Sequence, residues 1–288
     1  MTAQPLPRNA LERINYLAER YAARHYLEIG PGTGKRFLAV RMPLKVGTHM
    51  PAKLVPACPE PGTTYLPVSS DAFFAAFTNR REDAANPLPG ELDPPLFDII
   101  LIDGLHTFAQ SLQDFENSLR CAHADTLFIL QGSVPCDQYS AMPDRRESLS
   151  RRQEAGLPGR FWHGDVFKTV LAVHDRYPSY SYCTICTGRP HTIIWQAGES
   201  GRTPRFASLD EIDALDYTGM LRHADLMMPV KNFLLPDIIG LTLNPSAYGG
   251  ADTWKKLIPE ECADMRKFWA ERLAQDRGRG VCEPMSAL

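Results

Sequence analysis

Apolar residues recur along the first 130 positions with two alternating periods. Leu11, Ile14, Leu17, Ala18 and Tyr21 fall at helical spacing behind Asn9-Ala10-Leu11-Glu12, which has the form of a capping box. Residues 26–29 are a short, mostly apolar run that predicts a strand, and 35–40 predict a helix. Residues 43–49 predict a second strand, 64–68 a weaker third, and Phe73, Phe74 and Phe77 mark a helix for which Ser70-Asp71 is the expected cap. Residues 96–102 are the strongest strand pattern in the chain. A continuous apolar run bounded by loop residues suits the middle of a parallel sheet covered on both faces. Phe108, Leu112, Phe115 and Leu119 then repeat as a helix face, and 126–130 form the next strand. Strand and helix alternate throughout, which predicts an α/β, doubly wound sheet with ligands at the carboxyl ends of its strands.

The pattern then changes. Residues 80–95 are rich in charge, Pro and Gly and predict a surface excursion. Residues 132–160 are polar, carry Arg145-Arg146 and Arg151-Arg152, and leave the carboxyl end of a central strand, where either an active-site lid or a plain surface loop fits. A helix over 165–177 leads to two runs, 180–186 and 191–196, that form a hairpin able to close the sheet. This makes seven strands in a mostly parallel α/β domain over 1–196. A mainly helical C-terminal extension is expected over 197–288, with helical patterns at 209–226 and 259–277 and a frayed tail.

Composition narrows the classes. A chain of 288 residues with a formal charge of −3 and no basic stripe favours neither nucleic acid nor an anionic membrane surface. It has no apolar run long enough to span a bilayer and no signal-peptide pattern at Met1, so a cytoplasmic protein is expected. A small molecule is the expected partner, with a second copy of the chain as the one macromolecular possibility. Seven cysteines in such a chain are expected as free thiols. Cys183 and Cys186 have knuckle spacing, but no second pair accompanies them and a strand would turn the two thiols to opposite faces, so zinc is not expected.

The chemistry concentrates at strand ends. Gly30, Gly32 and Gly34 alternate directly after the first strand and before a helix, where glycine lets a backbone approach a ligand and the helix end offers unpaired N–H groups. The spacing departs from the dinucleotide fingerprint, and Lys35-Arg36 departs from a P-loop. The second strand ends in Thr48-His49, where a ribose-binding acid is expected in pockets of this architecture, and no carboxylate follows until Glu60. The central strand ends in Asp103-Gly104-Leu105-His106. His106 is a candidate general base, its alternative being a surface histidine at the start of the following helix.

With Glu28 in front of the three glycines, the turn resembles motif I of the class I S-adenosylmethionine-dependent methyltransferases. Ile102-Asp103-Gly104-Leu105-His106, with Asp114 and Asn117 beyond it, is similar to the branch marked by Ile-Asp-Gly-x-His, methyltransferase family 24. Trp162-His163-Gly164-Asp165-Val166-Phe167-Lys168 resembles a Trp-x-Gly-Asp-Val-x-Lys segment of some relatives, and the likeness covers roughly residues 9–196. The resemblance implies a Rossmann-like sheet and S-adenosylmethionine as cofactor. It places Gly30, Gly32 and Gly34 under the amino-acid end of that donor, Glu28 toward its ammonium group, His49 near the ribose in place of the acid, and Asp71 toward the adenine, where a plain helix cap fits as well. Relatives that bind a divalent cation use a carboxylate like Asp103 together with an acid after the fifth strand. Here Gln131-Gly132 follows that strand, so no metal is expected.

Three functional readings follow. The first is metal-independent methyl transfer to a small polar acceptor, a sugar or metabolite hydroxyl or amine, with His106 and Asp103 as catalytic residues. The second is a catalytically silent binding or scaffold protein that keeps the same fold. The third, a nucleotide-sugar transferase or a modification partner, rests only on Arg145 and Arg151.

Overall fold

The capping box forms as the sequence predicts. In the computed structural model the Asn9 side chain accepts from the Glu12 N–H at 3.1 Å and donates to Glu12 Oε1 at 2.6 Å, opening helix α1 (Ala10–Arg20). The structure describes residues 9–49, 60–82, 96–185, 190–197, 202–223, 226 and 229–230. Most of the 80–95 excursion, Cys186 and the helix expected over 259–277 lie outside them.

Strands β1 (His25–Ile29), β2 (Leu44–Thr48), β3 (Thr63–Leu66), β4 (Phe97–Ile102) and β5 (Ala122–Gln131) run parallel. Helices α2 (Lys35–Ala39), α3 (Ser70–Glu82) and α4 (Phe108–Ser118) connect them. Helix α5 (Arg145–Glu154) and helix α6 (Phe167–Arg176) come before the hairpin of β6 (Tyr180–Ile185) and β7 (His191–Gln196), which adds antiparallel to β5. Two short helices, α7 (Leu209–Asp213) and α8 (Tyr217–Arg222), and a two-residue strand, β8 (Pro229–Val230), follow. The strand order is β3-β2-β1-β4-β5-β7-β6-β8, so the seven expected strands gain an eighth at the β6 edge. Chain direction across the sheet reverses between β1 and β4, which opens a crevice at their carboxyl ends.

Strand alternation sorts the core into two layers. Leu27, Ile29, Ile100, Ile102, Phe128 and Leu130 face a cluster with Phe73, Phe77 and Phe115, which α7 and α8 join through Ile212 and Met220. Tyr26, Ile99, Leu101, Leu127 and Ile129 face the other cluster, with Ile14 and Leu17 of α1 and with Phe37. Each such side chain contributes about 1.5–3 kcal/mol on burial. Cys183 is a buried thiol of the second cluster.

Local details differ from the sequence pattern at three places. Ser69 caps α3 by accepting from the Ala72 N–H at 3.2 Å, while Ser70 is buried and Asp71 exposed. The 132–160 excursion is a packed structure. Asp144 caps α5 by accepting from the Glu147 N–H at 2.7 Å, and the buried Arg152 bonds Asp137 and, at 2.8 Å, the Pro158 carbonyl. The helical pattern at 209–226 divides into α7 and α8, each opened by its own cap, Ser208 and Asp216.

Candidate functional site

The turn after β1 is held down on one side and open on the other. Gly30 has φ 78° and its N–H donates to the Thr48 carbonyl at 3.1 Å; a Cβ on it would collide with the Asp103 carbonyl oxygen. Gly32, with φ 57°, has nothing within 4 Å of where its Cβ would stand. Gly30 is therefore glycine because β4 lies against it, and Gly32 leaves a space beside the backbone. Gly34 is the N-cap of the short helix α2 and makes no side-chain cap bond.

That space belongs to a cleft of about 450 Å³ at the carboxyl ends of the central strands, within the roughly 300–1,000 Å³ usual for small-molecule sites. One wall carries Gly30 and Gly32 with His49 from the end of β2. Asp103, Gly104 and His106 follow β4, and Gln131 ends β5. Arg145, Arg160 and Trp162 of the 132–162 excursion form the facing wall. Five of the eight residues expected at the site, Gly30, Gly32, His49, Asp103 and His106, thus meet in one cleft.

Beneath it lies a connected polar network. Glu28 is fully buried and accepts from Tyr26 Oη at 2.7 Å and from Arg36 Nε and Nη2 at 3.0 and 2.6 Å. Arg36 Nη2 also donates to Asp103 Oδ2 at 2.7 Å, and Nη1 to Gln131 Oε1 at 3.1 Å. Gln131 Nε2 donates to Asp103 Oδ1 at 2.7 Å. Burial opposes the Arg36 charge, but Glu28 and Asp103 beside it outweigh burial and hold its pKa above the ordinary value. One guanidinium thus compensates two carboxylates. Glu28, expected to face a ligand ammonium directly or through water, has both of its oxygens engaged by Tyr26 and Arg36 within the protein.

His106 is fixed from three directions. Its Nε2 lies 2.8 Å from Asp103 Oδ1 and its Nδ1 3.2 Å from the His163 carbonyl, and its ring stacks on Trp162 with centroids 5.1 Å apart. Its backbone, like that of His49, is left-handed, with φ 56° and 62° respectively. Such values are uncommon outside glycine, and they cluster at ligand sites. The Trp162 to Lys168 segment braces this turn. Gly164 packs so closely on the His106 carbonyl that no Cβ fits between them. Asp165 accepts from the Phe108 N–H at 2.7 Å and from Lys168 Nζ at 2.9 Å. His106 is therefore partly buried against the cleft and is not a free surface histidine; Thr107 is the residue that caps α4.

The nucleoside side is less complete. Thr48, at the position of the expected acid, is fully buried, and its hydroxyl has no hydrogen-bond partner among the described residues. Asp71 does not line the cleft; Gln110 and Gln113 of α4 donate to its Oδ1 at 3.3 and 3.1 Å. Asp114 lies behind Gly104 and is fully buried, and burial pushes its pKa up.

The sequence pattern missed Arg36 and Gln131 as organisers of the site, and Arg160 and Trp162 as lining residues. Arg36 follows the glycine turn directly, but its partners lie 67 and 95 positions away. A fully buried arginine, Arg13 of α1, lies with Nη1 2.5 Å from His191 Nδ1; His191 Nε2 is 3.3 Å from Gln131 Oε1, which joins α1 to the same network. Among the described residues no cluster of three His, Cys, Asp or Glu side chains is arranged to hold a metal ion, and no helix is long and apolar enough to cross a membrane.

No protein-family model matches the chain, and no curated protein sequence does. Among solved structures it is similar to the SAH-bound methyltransferase PaMTH1 of Podospora anserina, at 13% identity and TM-score 0.41, covering 65% of this chain and 77% of that one. It is also similar to an O-methyltransferase from Bacillus cereus in complex with SAH, at 13% identity and TM-score 0.40, covering 67% and 84%. Likenesses of this size carry no weight beside the strand order and the cleft themselves.

Proposed function

We propose that the cleft binds S-adenosylmethionine and that the protein transfers a methyl group to a hydroxyl or amine of a small molecule without a metal ion. The observation that carries this reading is the unfilled space at Gly32 in a cleft at the β1/β4 switch point, on a turn of the methyltransferase motif type. Gly30 and Gly32 would hold the donor's amino-acid end, with His49 toward its ribose. When bound, the donor supplies a methyl group already activated by its sulfonium.

The protein's part is then to orient the acceptor and take its proton. Held by Gly30, Gly32 and His49, the donor would supply the methyl group and leave as S-adenosylhomocysteine, its sulfur keeping the carbon–sulfur electron pair. Asp103 Oδ1 and the His163 carbonyl occupy the two nitrogens of His106, so the acceptor proton passes to Nδ1 once that nitrogen leaves the carbonyl and faces the acceptor; the resulting imidazolium keeps Asp103 Oδ1 at Nε2. Gly132 keeps a side chain out of the space next to Nδ1, since a Cβ there would stand 3.0 Å from it. Metal independence is supported by Arg36, whose guanidinium supplies the positive charge at Asp103 and reaches Gln131.

The second reading, a silent binding protein of the same fold, has one observation in its favour: Arg36 ties up both Glu28 and Asp103. Calorimetric titration with S-adenosylmethionine and S-adenosylhomocysteine, followed by a methyl-transfer assay over an acceptor panel with and without a chelator, separates the two. Binding with chelator-insensitive transfer is expected. Transfer to no acceptor, with or without binding, favours the silent protein, and no heat or thermal shift at millimolar ligand removes the methyl-transfer reading.

A further inference from the structure

The lid wall brings two arginines to the cleft. Arg145, at the start of α5, and Arg160 are both exposed, and both line the cleft. Neither has an ion-pair partner among the described residues, although the same excursion pairs Arg151 and Arg152; Arg146, exposed and equally without an ion pair, does not line the cleft. Arg151 meets Glu147 and Glu154 at 3.8 and 3.7 Å, and Arg152 is bonded to Asp137. Acids are thus at hand in this segment and are spent elsewhere. Asp103 is the one carboxylate among the described lining residues, and it is already engaged by Arg36, His106 and Gln131.

The cleft therefore presents two uncompensated positive charges in a protein whose formal charge is −3. Beside them Trp162 is held still. Its indole N–H donates to the Met142 carbonyl at 2.9 Å, its ring stacks on His106, and the Arg145 guanidinium carbon is 5.8 Å from the ring centroid. Guanidinium groups match the two-oxygen geometry of carboxylate and phosphate, and a cleft lined by one sign of charge concentrates ligands of the opposite sign.

We infer that the acceptor is an anion, a molecule whose carboxylate or phosphate is held by Arg145 and Arg160 while its body lies against Trp162 and its reacting hydroxyl or amine reaches His106. The acceptor role rests on the methyl-transfer reading; the anion site does not. This narrows the acceptor class, since a neutral sugar would leave both guanidinium groups without a partner.

The test uses the full chain, with and without saturating S-adenosylhomocysteine, and four probes: benzoate, phenyl phosphate, inorganic phosphate and neutral benzamide. Thermal shift and calorimetry are read for the wild type and for Arg145→Gln, Arg160→Gln and the double variant, with circular dichroism to confirm folding. We expect benzoate or phenyl phosphate to bind in the presence of saturating S-adenosylhomocysteine, binding to weaken as salt rises, and the double variant to lose at least tenfold in affinity for that probe; an equal loss of S-adenosylhomocysteine affinity would assign the two arginines to the donor's own carboxylate and overturn the acceptor site. Tighter binding of benzoate identifies the group as carboxylate; tighter binding of phenyl phosphate or inorganic phosphate identifies it as phosphate. Equal binding of benzamide, or anion binding undiminished in the double variant, overturns the site. Anion binding without S-adenosylhomocysteine binding removes the donor reading and leaves the site, and the reverse result removes the site and leaves the donor reading.

Discussion

The two walls of the cleft treat arginine in opposite ways. On the glycine-turn wall Arg36 is largely buried, and its guanidinium hydrogen-bonds Glu28, Asp103 and Gln131. On the lid wall Arg145 and Arg160 are exposed and have no acid partner among the described residues. Arg36 holds together strand ends that would otherwise repel, since two carboxylates meet there in a poorly solvated place. The lid arginines join no ion-pair network among the described residues, where Arg145 meets only the Trp162 ring, so substituting them tests ligand binding with little disturbance to the fold.

The largest expected effect breaks the first wall. Arg36→Met leaves the buried Glu28 and the partly buried Asp103 without their cation, a loss of about 3–5 kcal/mol in urea unfolding; a loss under about 1 kcal/mol would show that the network is not structural. Gly30→Ala comes next. Its new methyl meets the Asp103 carbonyl in a left-handed backbone, so a cost of about 2–5 kcal/mol is expected from strain and overpacking together. Gly32→Ala has the same backbone strain without the collision, so it should cost about 1–2 kcal/mol while weakening donor binding at least tenfold. Equal stability losses in the two glycine variants would erase the distinction between a packed glycine and a ligand-facing one.

Asp114 sharpens the comparison through pH. Burial raises its folded pKa. Its contribution is therefore fully present below the unfolded value of about 3.9 and is lost as pH rises through the folded value. Asp114→Asn should remove that decline from the stability–pH curve, which chemical denaturation from pH 4 to 8 would record; an unchanged curve would contradict it. The smallest stability effect belongs to the lid. Arg145→Gln and Arg160→Gln should each change unfolding free energy by less than about 0.5 kcal/mol.

Legibility in the sequence followed the range of the interactions. The capping box at Asn9, the apolar run of β4 and the glycine turn are local patterns, and each appears where its residues predict. Helix α5 was not legible because its sequence, Arg-Arg-Glu-Ser-Leu-Ser-Arg-Arg-Gln-Glu, has no apolar face; the Asp144 cap is its one local signal. Arg13 lies on the buried side of α1 because its partner, His191, comes from a strand 178 positions away. The site followed the same rule. Five of its expected residues met because strand ends converge in any doubly wound sheet, whereas the engagement of Glu28 by Arg36 depends on a side-chain direction that no spacing rule supplies. Asp71 missed the cleft for a comparable reason, since the glutamines of α4 hold its carboxylate.

The most direct measurement is a calorimetric titration of the intact protein and of Gly32→Ala with S-adenosylhomocysteine. The account expects one ligand per chain in the wild type and binding at least tenfold weaker in the variant, with both proteins folded. No binding to the wild type, or equal binding to the two, would contradict the claim that the open side of the glycine turn is the donor site.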